Sequence, residues 1–167
     1  FSFGGWGQVA FESNVTDGCS PVGITISVTT PPASGISSYF WQVTYPSGVV
    51  QTSVSPVYVA IFSQAGDYDV TLTINGNESV TILDYITIHP VPTADFDVND
   101  AEGCYPFCVD FTDVSITTGG SIVEWAWDFG NGITSTAQNP QYCYQNVGSY
   151  TPVFSIEDEF GCYSDIS

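Results

Sequence analysis

Glu124-Trp125-Ala126-Trp127-Asp128-Phe129-Gly130-Asn131-Gly132 is the stretch from which the rest of the chain can be read. Alternation places Trp125, Trp127 and Phe129 on one face of a strand and Glu124, Ala126 and Asp128 on the other. Gly130-Asn131-Gly132 supplies residues that tolerate positive φ, so the strand turns there. A stripe of three aromatics needs a second sheet to bury it, which predicts a β-sandwich.

Outward from this stretch, the chain repeats itself. Gly18-Cys19-Ser20-Pro21 matches Gly103-Cys104-Tyr105-Pro106, Tyr39-Phe40-Trp41 matches Trp125-Ala126-Trp127, and Gly66-Asp67-Tyr68 matches Gly148-Ser149-Tyr150. The offsets are 82 to 86 positions, the length of one small sandwich, so the reading is two tandem domains. Residues 1–8 lie outside the repeat, residues 9–89 form the first domain and residues 90–167 the second. His89-Pro90-Val91-Pro92 reads as a short, stiff linker. Short alternating strands recur every 8 to 12 residues with turn residues between them, and no segment has a helical period. The expected fold is all-β.

The motifs resemble those of the PKD domain, an immunoglobulin-like β-sandwich family. In the second half Gly103-Cys104-x-Pro106, Val109-x-Phe111, Trp127-Asp128-Phe129-Gly130-Asn131-Gly132, Asn139-Pro140, Tyr144 and Gly148-x-Tyr150 fall in family order. In the first half Gln42-Val43-Thr44-Tyr45-Pro46 replaces the Asp-Phe-Gly-Asp-Gly turn, which marks a diverged copy built around Trp41. The resemblance implies a tyrosine-corner hydrogen bond at Tyr68 and at Tyr150. It also makes the strands of Cys108 and Cys143 neighbours. With both cysteines facing outward, it implies Cys108–Cys143 as a cross-strand disulfide and leaves Cys104–Cys162 as the second pair, one of three connectivities for four cysteines. Cys19 is left over, either as a small buried thiol or as a bond to another subunit or adjacent repeat.

Composition limits the partners. The chain has 167 residues, no Lys or Arg and 18 Asp plus Glu, for a formal net charge of −18. An average chain of this length carries roughly 20 basic residues. Phosphate recognition depends on Lys and Arg, which argues against nucleic acid, and anionic membrane surfaces are disfavoured likewise. A hydrophobic content of 43% with 15% aromatics is far from a disordered composition. No apolar run is long enough to span a membrane, and no charged leader region opens the chain. The chain therefore reads as a mature or excised piece of something larger. Trypsin has no site in it, and a low-pH habitat is a second reading of the same acidity. Five cysteines point to an oxidising, extracellular setting.

No motif announces catalysis. The single histidine, His89, is read as a linker residue without a Ser or Cys partner, and scattered carboxylates form chance pairs rather than a glycosidase site. Asp95, Asp97 and Asn99 share one strand face and are oxygen ligands of the kind that suits Ca²⁺, without the Gly and Glu of an EF-hand loop. The alternative for these three is a solvent-facing strand edge. No cofactor other than such a Ca²⁺ is expected. Asp128 and Asn131 are expected to bond backbone in their turn rather than metal. Asn14-Val15-Thr16 and Asn77-Glu78-Ser79 fit the N-glycosylation sequon at Asn14 and Asn77.

Tandem PKD-like repeats are similar to those of long bacterial surface adhesins and extracellular fibres, so the resemblance implies a structural building block of a stalk. The last strand of the first domain spans Ser79 to Ile88, whereas that of the second stops after six residues at Ser167. Phe1, Phe3 and Trp6 have no sandwich position of their own. These features predict head-to-tail association, in which the Phe1–Gly7 segment of one subunit extends or covers the short last strand of the next; Ser167 as a boundary inside a longer repeat chain is the other reading. A second expectation is an accessory module of a secreted enzyme or adhesin that holds a polysaccharide or cell-surface ligand through exposed aromatics, with Trp6 the residue to test. A Ca²⁺-dependent adhesion module is the third.

Overall fold

The computed structural model describes residues 9–29 and 36–167. The chain divides into two units, Phe1–His89 and Pro90–Ser167, and among the described residues both contain strands and no helix.

In unit 1 one sheet runs β1 (Phe11–Ser13), β3 (Val22–Val28), β6 (Val57–Phe62). The other runs β2 (Asp17–Cys19), β8 (Glu78–His89), β7 (Gly66–Ile74), β4 (Tyr39–Thr44), β5 (Val50–Ser53). All pairings are antiparallel except β2 with β8, which is parallel. Alternation explains the core: Ile24 and Ile26 on β3, Trp41 and Val43 on β4, Tyr68, Val70 and Leu72 on β7, and Ile86 and Ile88 on β8 all point inward and are buried, as period-two strands between two sheets require.

Unit 2 repeats the plan with β9 (Phe96–Val98), β10 (Phe107–Asp113) and β13 (Gln141–Tyr144) in one sheet. The second sheet is ordered β12 (Thr134–Ser135), β11 (Ile122–Asp128), β14 (Val153–Asp158), β15 (Tyr163–Ile166). Its core gathers Phe111, Trp127, Phe129, Phe154 and Ile156. Trp127 stacks on Phe154 with ring centroids 3.9 Å apart.

The two units share more than strand order. The Trp41 indole N–H donates to the Ser55 carbonyl at 2.9 Å, and the Trp127 indole N–H to the Ala137 carbonyl at 2.9 Å. The Tyr68 hydroxyl donates to the Gln64 carbonyl and the Tyr150 hydroxyl to the Asn146 carbonyl, each four residues back. Tyr68 packs edge-on against Phe62, and Tyr150 stacks on Tyr144. Each of these four rings thus keeps its polar tip satisfied.

Some elements differ from the sequence reading. His89 is not in a linker: it is the last residue of β8, opposite Cys19, with its Nε2 3.3 Å from Asp17 Oδ2. The sequence reading does not anticipate β2, β5 and β12; they form by pairing at sheet edges rather than by any apolar pattern of their own. Cys162 does not open the last strand but sits fully buried in the turn before it.

Candidate functional site

The residues with chemistry fall into three groups. The first is the turn after β11. Gly130 and Gly132 take φ of +78° and +83°, a region that suits glycine. The Gly130 N–H donates to Asp128 Oδ1 at 2.8 Å, the Ile133 N–H to Asn131 Oδ1 at 3.2 Å, and the Asn131 amide donates to the Tyr142 hydroxyl at 2.8 Å. The side chains of this turn close on their own backbone and on one tyrosine.

The second group surrounds carboxylates. Asp113 accepts from the Ser115 N–H at 2.9 Å, the Trp125 indole at 2.8 Å and the Gln138 amide at 3.1 Å. Partial burial pushes its carboxyl up, but the bonds from Ser115, Gln138 and Trp125 outweigh that and hold it below the usual carboxylate range. Asp158 is buried; its Oδ1 accepts from the N–H groups of Phe160 and Cys162, both at 2.9 Å. Asp95, Asp97 and Asn99 are exposed. Asp95 Oδ1 caps the Phe96 N–H, and Asn99 exchanges two bonds with Asp110. Among the described residues no group of three or more His, Cys, Asp or Glu is placed to hold a metal ion. Asn77 is exposed at the β7–β8 turn, whereas the Asn14 side chain is engaged by β3, accepting from the Thr25 N–H at 2.7 Å and donating to the Gly23 carbonyl at 3.3 Å.

The cysteines correct one pairing. Cys108 and Cys143 are opposite each other on β10 and β13 and form a disulfide. Cys104 does not join Cys162: Cys104 is a free, exposed thiol on the loop before β10, while Cys162 is buried beneath the Asp158 turn. Cys19 and Cys162 are each disulfide-bonded, so Cys19 is not a buried thiol.

The third group is a groove in unit 2. In unit 1, β8 continues past Asp84, and Ile86 and Ile88 pair with Tyr68 and Gly66. In unit 2, β15 pairs with β14 from Tyr163 to Ile166 only. A groove of about 550 Å³ lies in unit 2. Phe96, Phe107, Tyr144, Tyr150, Gly148 and Gly103 are among the residues that line it. Tyr68 is fully buried, while its counterpart Tyr150 keeps part of its ring in solvent. Burial, then Tyr142, Tyr150 and Asp128, push the Tyr144 hydroxyl up, and it donates to the Phe129 carbonyl at 2.9 Å. Ala101, Glu102 and Tyr105 of the loop before β10 also line the groove, a placement that the sequence does not show. Phe1, Phe3 and Trp6 lie outside the described residues.

Residues 87–166 match the family model of the PKD domain. Over 42 residues the chain is 45% identical to the pre-pro-metalloprotease PrtV of Vibrio cholerae, which is 25% of this chain and 5% of that protein. It is also 45% identical over 42 residues to the collagenase ColQ1 of Bacillus cereus, 4% of that protein. The crystal structure of the PKD1 domain from Vibrio cholerae PrtV aligns with a TM-score of 0.42 at 34% identity, over 46% of this chain and 89% of that domain. The chain thus spans a small fraction of the full-length relatives it matches.

Proposed function

We propose, from the premise that this chain belongs to the PKD domain family through its second unit, that it is a non-catalytic, extracellular building module of a stalk or fibre. The observation that supports this reading is the duplicated frame. Trp41 and Trp127, and the corner tyrosines Tyr68 and Tyr150, make the same internal hydrogen bonds in the two units, which supports two self-contained sandwiches in one chain. A repeat of closed sandwiches suits a spacer that must keep its shape. The matches to a metalloprotease and a collagenase, each a few per cent of those proteins, fit a small module beside larger partners. The disulfide Cys108–Cys143 fits an oxidising exterior.

The second reading, a module that holds a polymeric ligand, needs exposed, coplanar aromatics. Trp127 with Phe154, Phe129 with Tyr142, Tyr45 with Phe62 and Tyr144 with Tyr150 stack within or against the two cores, and Tyr150 keeps part of its ring in solvent. Trp6 is outside the described residues and is the residue to test. Electron cryo-microscopy of the native material tests the first reading: fibres with an axial repeat of two sandwiches support it. Discrete particles that sediment with insoluble collagen or chitin would overturn it in favour of the second. Sedimentation lost on adding a chelator would instead favour Ca²⁺-dependent docking.

A further inference from the structure

A free sheet edge offers unpaired N–H and C=O groups to any passing strand, and proteins blunt such edges with charge, proline or brevity. Most edges of this chain follow that rule. Among the described strands, β1, β2, β9 and β15 each end a sheet and each carry a carboxylate, at Glu12, Asp17, Asp97 and Asp165. β12 has only two residues, and the four residues of β13 are tied to β10 through Cys143. β5 lacks charge but is four residues long. β6, Val57-Tyr58-Val59-Ala60-Ile61-Phe62, has none of these devices. It is the longest of the edge strands at six residues, and its one described neighbour is β3. Tyr58 and Phe62 point into the core, whereas Val57, Val59 and Ile61 point out and are 37%, 71% and 71% exposed. The charge map isolates the same place. All 18 Asp and Glu lie outside residues 18–66, the stretch that contains β6 and the neighbouring β3.

We propose that the free edge of β6 pairs antiparallel with β6 of a second copy of this chain, joining two β1-β3-β6 sheets into one. Charge selects this occupant. A cationic partner is drawn to the carboxylates of the other edges, not to the stretch that lacks them. A second copy brings the same net charge of −18, so it approaches closely only where both surfaces are uncharged. β6 meets itself with no carboxylate on either strand. The contact is isologous, with the two-fold axis normal to the sheet, so it closes at two copies. That axis keeps Val57, Val59 and Ile61 of both copies on one face of the joined sheet, where they cover one another as cross-strand pairs. The backbone pairing is strand addition in which the donor and the acceptor are the same segment. The inference does not rest on the stalk or fibre reading; within a stalk, the same contact joins two chains side by side.

The test uses the full chain with Cys104→Ser throughout, so that the exposed thiol does not cross-link copies. Sedimentation equilibrium over a concentration series up to about 1 mM shows monomer and dimer and no larger species. Val59→Asp with Ile61→Asp raises the dimer Kd at least about tenfold, because like charges fall opposite one another and the apolar contact is lost. Both side chains point to solvent in the single chain, so the thermal transition of the diluted protein stays in place, which separates lost pairing from lost folding. Val59→Lys with Ile61→Lys, mixed with the aspartate pair, restores a one-to-one dimer, since these positions of one copy face the same positions of the other. Mixed with Val59→Ser and Ile61→Ser it does not, which separates the joint from a general attraction of lysine to an acidic chain. A chain that stays monomeric throughout the series overturns the proposal. So does a dimer indifferent to the aspartate pair, or a lysine variant that binds the serine variant as tightly as the aspartate one. A dimer lost on Val50→Asp with Thr52→Asp and kept by the aspartate pair on β6 moves the contact to β5 and overturns it too. None of these outcomes touches the stalk or ligand-module readings, which stand or fall on the imaging and ligand sedimentation above.

Discussion

At Gly130 the backbone and its surroundings agree on one residue. Its φ is +78°, and a Cβ there would meet the Thr151 carbonyl oxygen at 2.7 Å and its nitrogen at 2.8 Å. Gly132 has a similar φ of +83° but open space around it. Gly130→Ala therefore combines backbone strain with a clash against backbone that cannot step aside. Strain alone is worth about 1–3 kcal/mol, so Gly132→Ala should show that cost and Gly130→Ala clearly more. Urea melts followed by tryptophan fluorescence check this; equal costs would mean that Thr151 moves freely. Asp113 allows a second prediction. Its folded pKa is depressed, so the stability it contributes is present above the ordinary carboxylate value near 3.9 and is lost as pH falls through the folded value. In Asp113→Asn an amide cannot accept from Ser115, Trp125 and Gln138 at once. The variant should be less stable at pH 7, with the gap closing below about pH 3.9; a gap independent of pH would assign the loss to packing.

At the scale of elements, legibility follows burial. β4, β6, β7, β10 and β11 each bury one face, so alternation in Trp41/Val43 or Val109/Phe111 betrays them. β5 does not: Val50, Gln51 and Thr52 are all exposed, and an edge strand without an inner face leaves no pattern. β2 is held by parallel pairing of Asp17–Cys19 with β8, a contact between residues 70 apart in sequence. The same limit hides the state of Cys104. Facing direction on strands is readable for Cys108 and Cys143, but Cys104 lies on a loop and Cys162 in a turn, where alternation says nothing. The Cys108–Cys143 bond ties β10 to β13 across a separation of 35 residues. Chain-entropy reasoning assigns such a loop about 3–4 kcal/mol. Cys108→Ala with Cys143→Ala should therefore lower the unfolding free energy of unit 2 by up to that amount and leave unit 1 unchanged. Trp41 and Trp127 report the two units separately once the other tryptophans are replaced. An equal loss in both would refute the local role.

The whole molecule has an electrostatic property that no pair of residues shows. With no Lys or Arg and a formal net charge of −18, the side-chain charges at pH 7 repel one another. In most proteins salt weakens attractive and repulsive terms together; here nearly all that it can weaken is repulsion. The load is uneven, since six of the 18 acidic residues lie in Phe1–His89 and twelve in the shorter Pro90–Ser167. Self-repulsion grows faster than linearly with charge, so unit 2 should gain more from screening than unit 1. Raising NaCl from about 20 mM to 500 mM shortens the screening length from roughly 20 Å to about 4 Å. The transition reported by Trp127 should rise by several degrees, where about 1 kcal/mol corresponds to roughly 4–8 °C for a domain of this size. The transition reported by Trp41 should rise less. KCl at equal ionic strength should match NaCl, because screening does not depend on ion identity. CaCl₂ at equal ionic strength separates screening from binding: a further rise of the Trp127 transition means that carboxylates of unit 2 take up the ion. A flat or falling response to NaCl would mean that favourable short-range bonds to the carboxylates, of the kind Asp113 makes, dominate over the net charge of −18.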